Sequence, residues 1–521
     1  MQFPAIAITT RTWNGLAAMK FSNFENVSDI VFEHAARQPD APALIMGRET
    51  LSYAEFARLI GQATVYLTES GIKQDDHVGI NMVNSLEHTI LSLALMRIGA
   101  TPIELSTDLD HAGFASLVSR YQMAATFTDI GGLASAASVA IQIGLTWREE
   151  LSACAGDRRC AARGDQIFTI QLSSGSTGIQ KGVVVSHEQR LRRIRVYAAT
   201  EPYWREENPS PVLLLAPANN GLITHFFPVQ LFMGGVSILL PLYRRFIDLA
   251  RECASWDDVI CPMPPDLACK MLSYARPGVP LFPNMAALVI AGQPLAAHHK
   301  LELLERLTPK LYDVYGSSGY GLVAMIGAAE QAEHAASVGR IISHPGTEVE
   351  FLDAAGRPVP ATTGGQMRMR GPTMAQGFFH AADNSRGTES FRDGWYYPGD
   401  VGQVDEQGYL SIIGRLSDVI QISGRTIYPG EIEGIITRCA GVLEAAVVNR
   451  LVPGGSIELC AFILTQPGAN KHAVATYCRK QLPPEKRPKY LVYLDQMPST
   501  PGNKLDRPTL RTMPIDFPAP L

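Results

Sequence analysis

The sequence has no C-x-x-C pair, no long apolar run and little net charge. Its eight cysteines (Cys154, Cys160, Cys253, Cys261, Cys269, Cys439, Cys460 and Cys478) are scattered. That spacing excludes a paired zinc site or a disulfide scaffold and suits free thiols in a reducing cytoplasm. No uninterrupted apolar stretch reaches the roughly 18 residues of a membrane span, so no integral membrane association is expected. A formal charge of −5 on 521 residues argues against a nucleic acid or an anionic membrane as partner. The first twenty residues carry Arg11 and Lys20 and no acid, which fits a transit peptide. It fits equally a frayed extension ahead of a start at Met19. The second reading is preferred, with residues 1–26 as an N-terminal extension.

The chain is long enough for two or more domains, and 46% apolar with 18% charged residues describes a soluble globular protein. Between residues 24 and 160, helical and strand periodicities alternate. Helices are expected over 27–37, from 51 to about 70 and over 87–99, with strands at 43–46 and 77–81. Such alternation argues for parallel α/β layers. The chain is organised around Ser173-Ser174-Gly175-Ser176-Thr177-Gly178-Ile179-Gln180-Lys181-Gly182. The alternating run 166–172 before it and Val183-Val184-Val185 after it read as strands. Ser186-His187-Glu188-Gln189 then has the capping-box pattern that opens a helix. A glycine loop held between buried strands lets backbone N–H groups close around an anion, with hydroxyls and Lys181 adding donors. Its spacing is not that of the nucleotide-kinase P-loop, which needs Lys-Ser/Thr directly after glycine.

This decapeptide resembles the phosphate-binding loop of the adenylate-forming superfamily, S/T-S-G-S/T-T-G-x-P-K-G, with Gln180 in place of the proline. That superfamily includes acyl- and aryl-CoA synthetases, luciferases and peptide-synthetase adenylation domains. Further stretches resemble its motifs in order: Gly292-Gln293-Pro294-Leu295, Tyr315-Gly316-Ser317-Ser318-Gly319, Asp393 to Asp400, Gly414-Arg415, and Pro498 to Arg507. The resemblance implies that Ser173, Ser174, Gly175, Ser176, Gly178 and Lys181 hold ATP phosphates, with Thr177 and Mg²⁺ near the α-phosphate. It implies that Gly292, Gln293, Pro294, Tyr315, Gly316 and Ser317 surround the adenine. Ser318 would lie by the α-phosphate or carboxylate, Asp400 would accept the ribose hydroxyls, and Arg415 would be a second nucleotide contact. Lys504 would be the catalytic lysine and Ser417 the interdomain hinge. The acid pocket would be formed by Asn219, Asn220, His225, Gly292, Gly316 and Gly321. Asn219 falls where enzymes adenylating hydroxybenzoic acids place an asparagine. Gly319 departs from the pattern, because the superfamily has a magnesium-binding glutamate there.

The implied fold is α/β: a large N-terminal domain of layered α/β subdomains (27–415) and a small mobile α+β C-terminal domain (416–521). The implied activity is ATP-dependent ligation of a carboxylic acid, an aryl acid ahead of a fatty acid, to the thiol of CoA or a separate acyl carrier protein. Gly319 motivates the rival reading, a non-catalytic nucleotide- or acyl-binding homologue. The absence of an amine-binding aspartate disfavours an amino-acid-activating domain.

Overall fold

The computed structural model describes the backbone of Ile6–Ala7 and residues 24–129, 140–144, 146–160, 164–172, 180–216, 218–241, 243, 245–276, 278–384, 390–422, 425–499 and 505–521. The fold is mixed α/β, with a large N-terminal domain and a smaller C-terminal one.

The largest sheet of the N-terminal domain has a parallel centre. Pro42–Met46, Ser237–Leu239, Val212–Leu214, Ile260–Met263, Ala287–Ala291 and Leu311–Ser317 lie side by side in that order. Gly321–Ile326 turns back antiparallel to Leu311–Ser317. The central strands read as continuous Val/Ile/Leu runs because helices cover both faces, leaving no solvent side to alternate with. A second parallel sheet joins Thr101–Glu104, His77–Asn81, Ala125–Thr128 and Ala140–Gln142. The helices Tyr53–Glu69 and Leu86–Arg97 belong to this part of the molecule. The first opens with a complete capping box, Ser52 and Glu55 each bonding the other's backbone N–H.

The strands around the glycine-rich stretch are Ile167–Leu172 and Gly182–Ser186, antiparallel as the pattern predicts, with Gly377–Phe378 on the outer edge. Ser186 and Gln189 form the expected capping box of the helix His187–Thr200. A further antiparallel sheet includes Gly365–Arg370, Trp395–Tyr396, Asp400–Val404 and Leu410–Arg415. After the short turn Leu416–Asp418 comes the ribbon Ile420–Ile422 with Arg425–Ile427. The C-terminal sheet of Val442–Leu451, Ile457–Thr465 and Tyr490–Leu494 follows, packed by Pro429–Ile436 and Lys471–Gln481. Arg507–Thr512 closes the chain against its other face through Leu510.

Two buried polar anchors tie these layers. Lys300 and Asp313, 2% and 4% exposed, pair at 2.5 Å, and the Lys300 ammonium also donates to the Ser337 carbonyl at 2.6 Å. His187, 1% exposed, accepts a 3.1 Å bond from the Val27 N–H at Nδ1, so it is held neutral. Burial pushes its pKa from 6.5 down to about 4. Because the folded value is depressed, the unfolded chain binds the extra proton between these limits. The contribution is therefore complete above pH 6.5 and is lost as pH falls towards 4. The gap corresponds to about 3 kcal/mol. Burial also pushes His34 down, adding to the slope with the same sign. Urea midpoints should fall between pH 7 and pH 4.5, and more steeply in the native protein than in His187→Gln. Parallel profiles would show that His187 is not a source of the acid sensitivity.

Candidate active site

Crevices outside the C-terminal ends of parallel strands are where open α/β sheets bind ligands. Here the ends of Val212–Leu214, Ala287–Ala291 and Leu311–Ser317 lead into Ala218–Gly221, Gly292–Pro294 and Ser318–Gly321. Gly292 has φ +95°, and a Cβ there would meet nothing within 4 Å. The strand end is thus open backbone on which a flat ring can lie. Gly316 and Gly321 have packing reasons to be glycine. A Cβ at 316 would come within 2.6 Å of the Gly321 carbonyl oxygen, and one at 321 would overlap the Tyr197 hydroxyl.

Asp400 and Arg415 are cross-strand partners in the antiparallel pair Asp400–Val404 and Leu410–Arg415. Asp400 is 4% exposed; its Oδ1 lies 2.9 Å from Arg415 Nε, and its Oδ2 accepts the Tyr315 hydroxyl at 2.5 Å. Burial first, and Asp400 second, push the Tyr315 phenol well above its ordinary value, so it stays a donor. The second Arg415 contact is to the Pro398 carbonyl at 2.9 Å. Three residues singled out separately in the sequence therefore form one cluster. Its carboxylate presents two fixed oxygens, the geometry a vicinal diol requires.

The phosphate-loop residues Ser173, Ser174, Gly175, Ser176, Thr177 and Gly178 lie outside the described residues, as does Lys504. The root of the loop is described. The Tyr121 hydroxyl donates to the Gln180 carbonyl at 2.9 Å, so the position that departs from proline is held by a side chain from elsewhere. The Lys181 ammonium donates to the Asp383 carbonyl at 2.8 Å and sits 5.2 Å from the centre of the Phe378 ring. The Asp383 carboxylate in turn pairs with Arg120 at 2.5 Å.

The helix Gly221–Met233 starts at Asn220, whose side chain accepts from the Leu222 N–H at 2.9 Å and so serves as the cap. Asn219 is half-buried in the turn before it. His225 stacks on Tyr197 at 4.0 Å, and its Nε2 lies 2.8 Å from the buried Glu201 carboxylate. Under this helix is a cavity of about 90 Å³, several waters' worth of space. Its walls include Phe168, Leu214, Ala218, Ile223, Phe227 and Leu231. Asn84, His88, Ser92 and Glu104 also line it, with His88 Nε2 and Ser92 Oγ each 2.7 Å from a Glu104 oxygen. The Asn84 Oδ1 is buried with no hydrogen-bond partner among the described residues.

Two site features carried no distinguishing signal in the sequence. Arg193, on the helix His187–Thr200, is 2% exposed and donates to the Ser318 and Thr373 carbonyls at 3.0 and 2.8 Å. It fixes the backbone beside Tyr315 from behind, although a run of arginines normally marks a solvated helix face. The second feature is Tyr396. The sequence resemblance implies a magnesium contact at Thr177, and marks Gly319 as standing where the superfamily has a metal-binding glutamate. The former is outside the described residues, and Gly319 offers no oxygen beyond its carbonyl, which accepts from the Ala375 N–H at 2.8 Å. A Cβ at 319 would overlap the edge of the Tyr396 ring, with Cδ2 2.7 Å away. No group of three or more His, Cys, Asp or Glu among the described residues is placed to hold a metal ion. The described residues thus do not fit a protein-held cation at position 319.

The strand-end cluster, the mixed α/β body and the small C-terminal domain together match one class of protein in the comparisons with known families. The family model for AMP-binding enzymes matches residues 31–379, and that for the AMP-binding enzyme C-terminal domain matches 431–504. The chain belongs to the AMP-binding enzymes, the adenylate-forming superfamily its motifs resemble. It is 24% identical to a long-chain-fatty-acid–CoA ligase of Escherichia coli, over 94% of each chain. It is 26% identical to the 2-hydroxy-7-methoxy-5-methyl-1-naphthoate–CoA ligase of Streptomyces carzinostaticus, over 92% of this chain and 91% of that one. Among solved structures, ATP-bound MatB from Rhodopseudomonas palustris superposes with a TM-score of 0.82 at 22% identity, covering 94% of this chain and 98% of its own. The o-succinylbenzoate CoA synthetase of Bacillus subtilis with its acyl-adenylate gives 0.80 at 19%, covering 93% and 98%. These two likenesses establish the fold. Among the described residues no helix is long and apolar enough to cross a membrane.

Proposed function

We propose that the protein is an ATP-dependent, AMP-forming acid–thiol ligase. It activates an aryl acid such as a hydroxybenzoate and transfers it to the pantetheine thiol of CoA or of a separate acyl carrier protein. The observation that carries this reading is the Asp400–Tyr315–Arg415 cluster at the strand ends. The related CoA ligases, one for fatty acids and one for a hydroxynaphthoate, support the reaction class.

In the first step a carboxylate oxygen of the acid bonds to the α-phosphorus of ATP, and the bond to the pyrophosphate oxygen breaks. In the second the thiolate sulfur attacks the acyl carbon, AMP leaves, and the thiol proton passes to solvent. Charge develops on phosphoryl oxygens in the first transition state, so fixed donors and cations do the work. Asp400 and Arg415 position the ribose, Lys181 and the hydroxyl-rich loop take the β- and γ-phosphates, Ser318 faces the reacting carboxylate, and Lys504 bridges carboxylate and α-phosphate. A magnesium ion carried by the ATP phosphates would neutralise charge there, with Thr177 as the residue that would lie beside it. Residues 27–415 then act as the main body, and 416–521 as a lid that turns about Ser417, in the Leu416–Asp418 turn.

The choice of a hydroxyaryl acid rests on the cavity. An alkyl chain would satisfy its apolar wall and leave the Asn84 Oδ1 without a donor, at a cost of about 1–3 kcal/mol. A ring hydroxyl satisfies both. Pyrophosphate release should be measured with hydroxybenzoates, cinnamates, fatty acids and amino acids, with hydroxylamine trapping acyl-adenylate. Hydroxyaryl acids should lead, and Asn84→Leu should shift preference towards the unsubstituted ring. Fatty acids leading would displace the aryl assignment within the same reaction. Silence across the panel with ATP still bound would favour the nucleotide-binding homologue that Gly319 suggests.

A further inference from the structure

The polar residues that line the cavity under the helix Gly221–Met233 have an unequal supply of donors and acceptors. Their hydroxyls are committed. Thr89, Thr169 and Thr224 donate to the Ser85, Pro102 and Gly221 carbonyls at 3.1, 3.1 and 3.0 Å. A carboxylate only accepts, so Ser92 Oγ and His88 Nε2 are both donors to Glu104. Asn84 Nδ2 donates to the Ala216 carbonyl at 2.5 Å. What is left over accepts. The Asn84 Oδ1 is buried without a partner, and each Glu104 oxygen still has room for a second hydrogen bond.

Glu104 is also held in place. It ends the strand Thr101–Glu104, and His88 and Ser92 grip it from positions four apart on one face of the helix Leu86–Arg97. Burial pulls the His88 imidazole down, but Glu104 more than offsets this, and the ring ends above its ordinary value. The carboxylate side chain remains 18% exposed where it lines the cavity. Among the described residues no lysine or arginine lines this space. Arg190 packs over the Phe168 ring at 4.9 Å, but its Nη1 donates to the Thr224 carbonyl at 2.7 Å. That carbonyl is the helical acceptor that Pro228, lacking an N–H, leaves open.

An anionic group in this cavity would meet a fixed carboxylate and no cation, in surroundings that screen charge poorly. A purely apolar group would leave the Asn84 Oδ1 dry. A hydroxyl or an amine supplies the missing donor, and the apolar wall covers the ring that carries it. We propose that the cavity selects an aromatic group bearing a hydroxyl or amine donor and rejects one bearing a second carboxylate, with Glu104 setting the distinction. The occupant is the end of the acid remote from its reacting carboxylate, so the same residues orient the substrate. Calling the occupant an acid rests on the ligase reading above; the selection of a donor does not.

The test is calorimetry on the full-length protein without ATP. Benzene, phenol and aniline probe the donor; benzoate against its 3- and 4-carboxy derivatives probes the second charge. Phenol and aniline should bind about tenfold more tightly than benzene, as for a bond to a charged acceptor. Both dicarboxylates should bind at least about tenfold more weakly than benzoate. Glu104→Gln keeps the shape and removes the charge, and should shrink both differences to within about threefold. Loss of a merely structural contact would weaken all the probes alike. Ser92→Ala frees a Glu104 lone pair and should widen the phenol advantage by up to about threefold, which tests the assignment even where Glu104→Gln does not fold. Benzene binding as tightly as phenol, a dicarboxylate binding as tightly as benzoate, no probe binding, or a phenol advantage that falls in Ser92→Ala would overturn the assignment and leave the ligase reading intact. The expected order of binding, with no pyrophosphate released from any acid, would keep the site and overturn the ligase reading.

Discussion

Lys504→Ala should slow acyl-adenylate formation by about 10²–10³-fold, the usual loss when one well-placed charge-stabilising donor is removed. Position 504 lies just before a firmly fixed stretch of chain. Ser499 pairs with Leu505, and the Asp506 N–H bonds to the Pro498 carbonyl at 2.9 Å. Arg507 reaches Asp418 in the interdomain turn at 3.1 Å and Glu433 on the helix Pro429–Ile436 at 2.6 Å. The loss should appear in pyrophosphate release and hydroxamate formation, with ATP affinity changed only a few-fold. Transfer from chemically made acyl-adenylate to CoA should be nearly intact, because the proposed role of the lysine ends once the phosphate bond has formed. Equal loss in both half-reactions would contradict that assignment and point instead to damage of the whole C-terminal domain.

Lys300→Met is expected to destabilise the N-terminal domain by about 3–5 kcal/mol, the range for stranding one member of a buried ion pair. Asp313 sits two residues before Tyr315 on the same strand, and its carboxylate is paired with the Lys300 ammonium that the variant removes. Burial already pushes its pKa up, and Lys300 is what opposes that shift. In the variant the carboxyl will protonate on folding, so instability should grow with pH, whereas loss of His187 alters only the acid limb. The Ser337 carbonyl also loses its donor. Replacing both partners, as Lys300→Met/Asp313→Leu, should recover most of the loss. Chemical unfolding followed by tryptophan fluorescence measures all three proteins, and a single variant as stable as the native chain would remove the pair from the list of anchors.

Elements with strong local pattern could be read directly from the chain. The strand His77–Asn81 occupies its expected residues, marked by its buried apolar positions. Where pairing extends an element, local pattern stops short. The strand expected over 183–185 runs from Gly182 to Ser186, because its ladder with Ile167–Leu172 carries through residues with no apolar signal of their own. The site divides in the same way. Asp400, Tyr315 and Arg415 were identifiable through resemblance to known motifs, and folding brings them within bonding distance. Tyr396 and Arg193 were not, since their importance lies in what they touch across the fold. Asn220 illustrates the opposite case: next to a pocket residue in sequence, its side chain is spent on a helix end.

The fit between Gly319 and Tyr396 also constrains how this sequence can change. A side chain at 319 would overlap the Tyr396 ring where it now lies, so a residue larger than glycine there requires that ring to move. A smaller residue at 396 would remove the overlap but open a cavity of aromatic size against Phe391. A change at either position is therefore felt at the other.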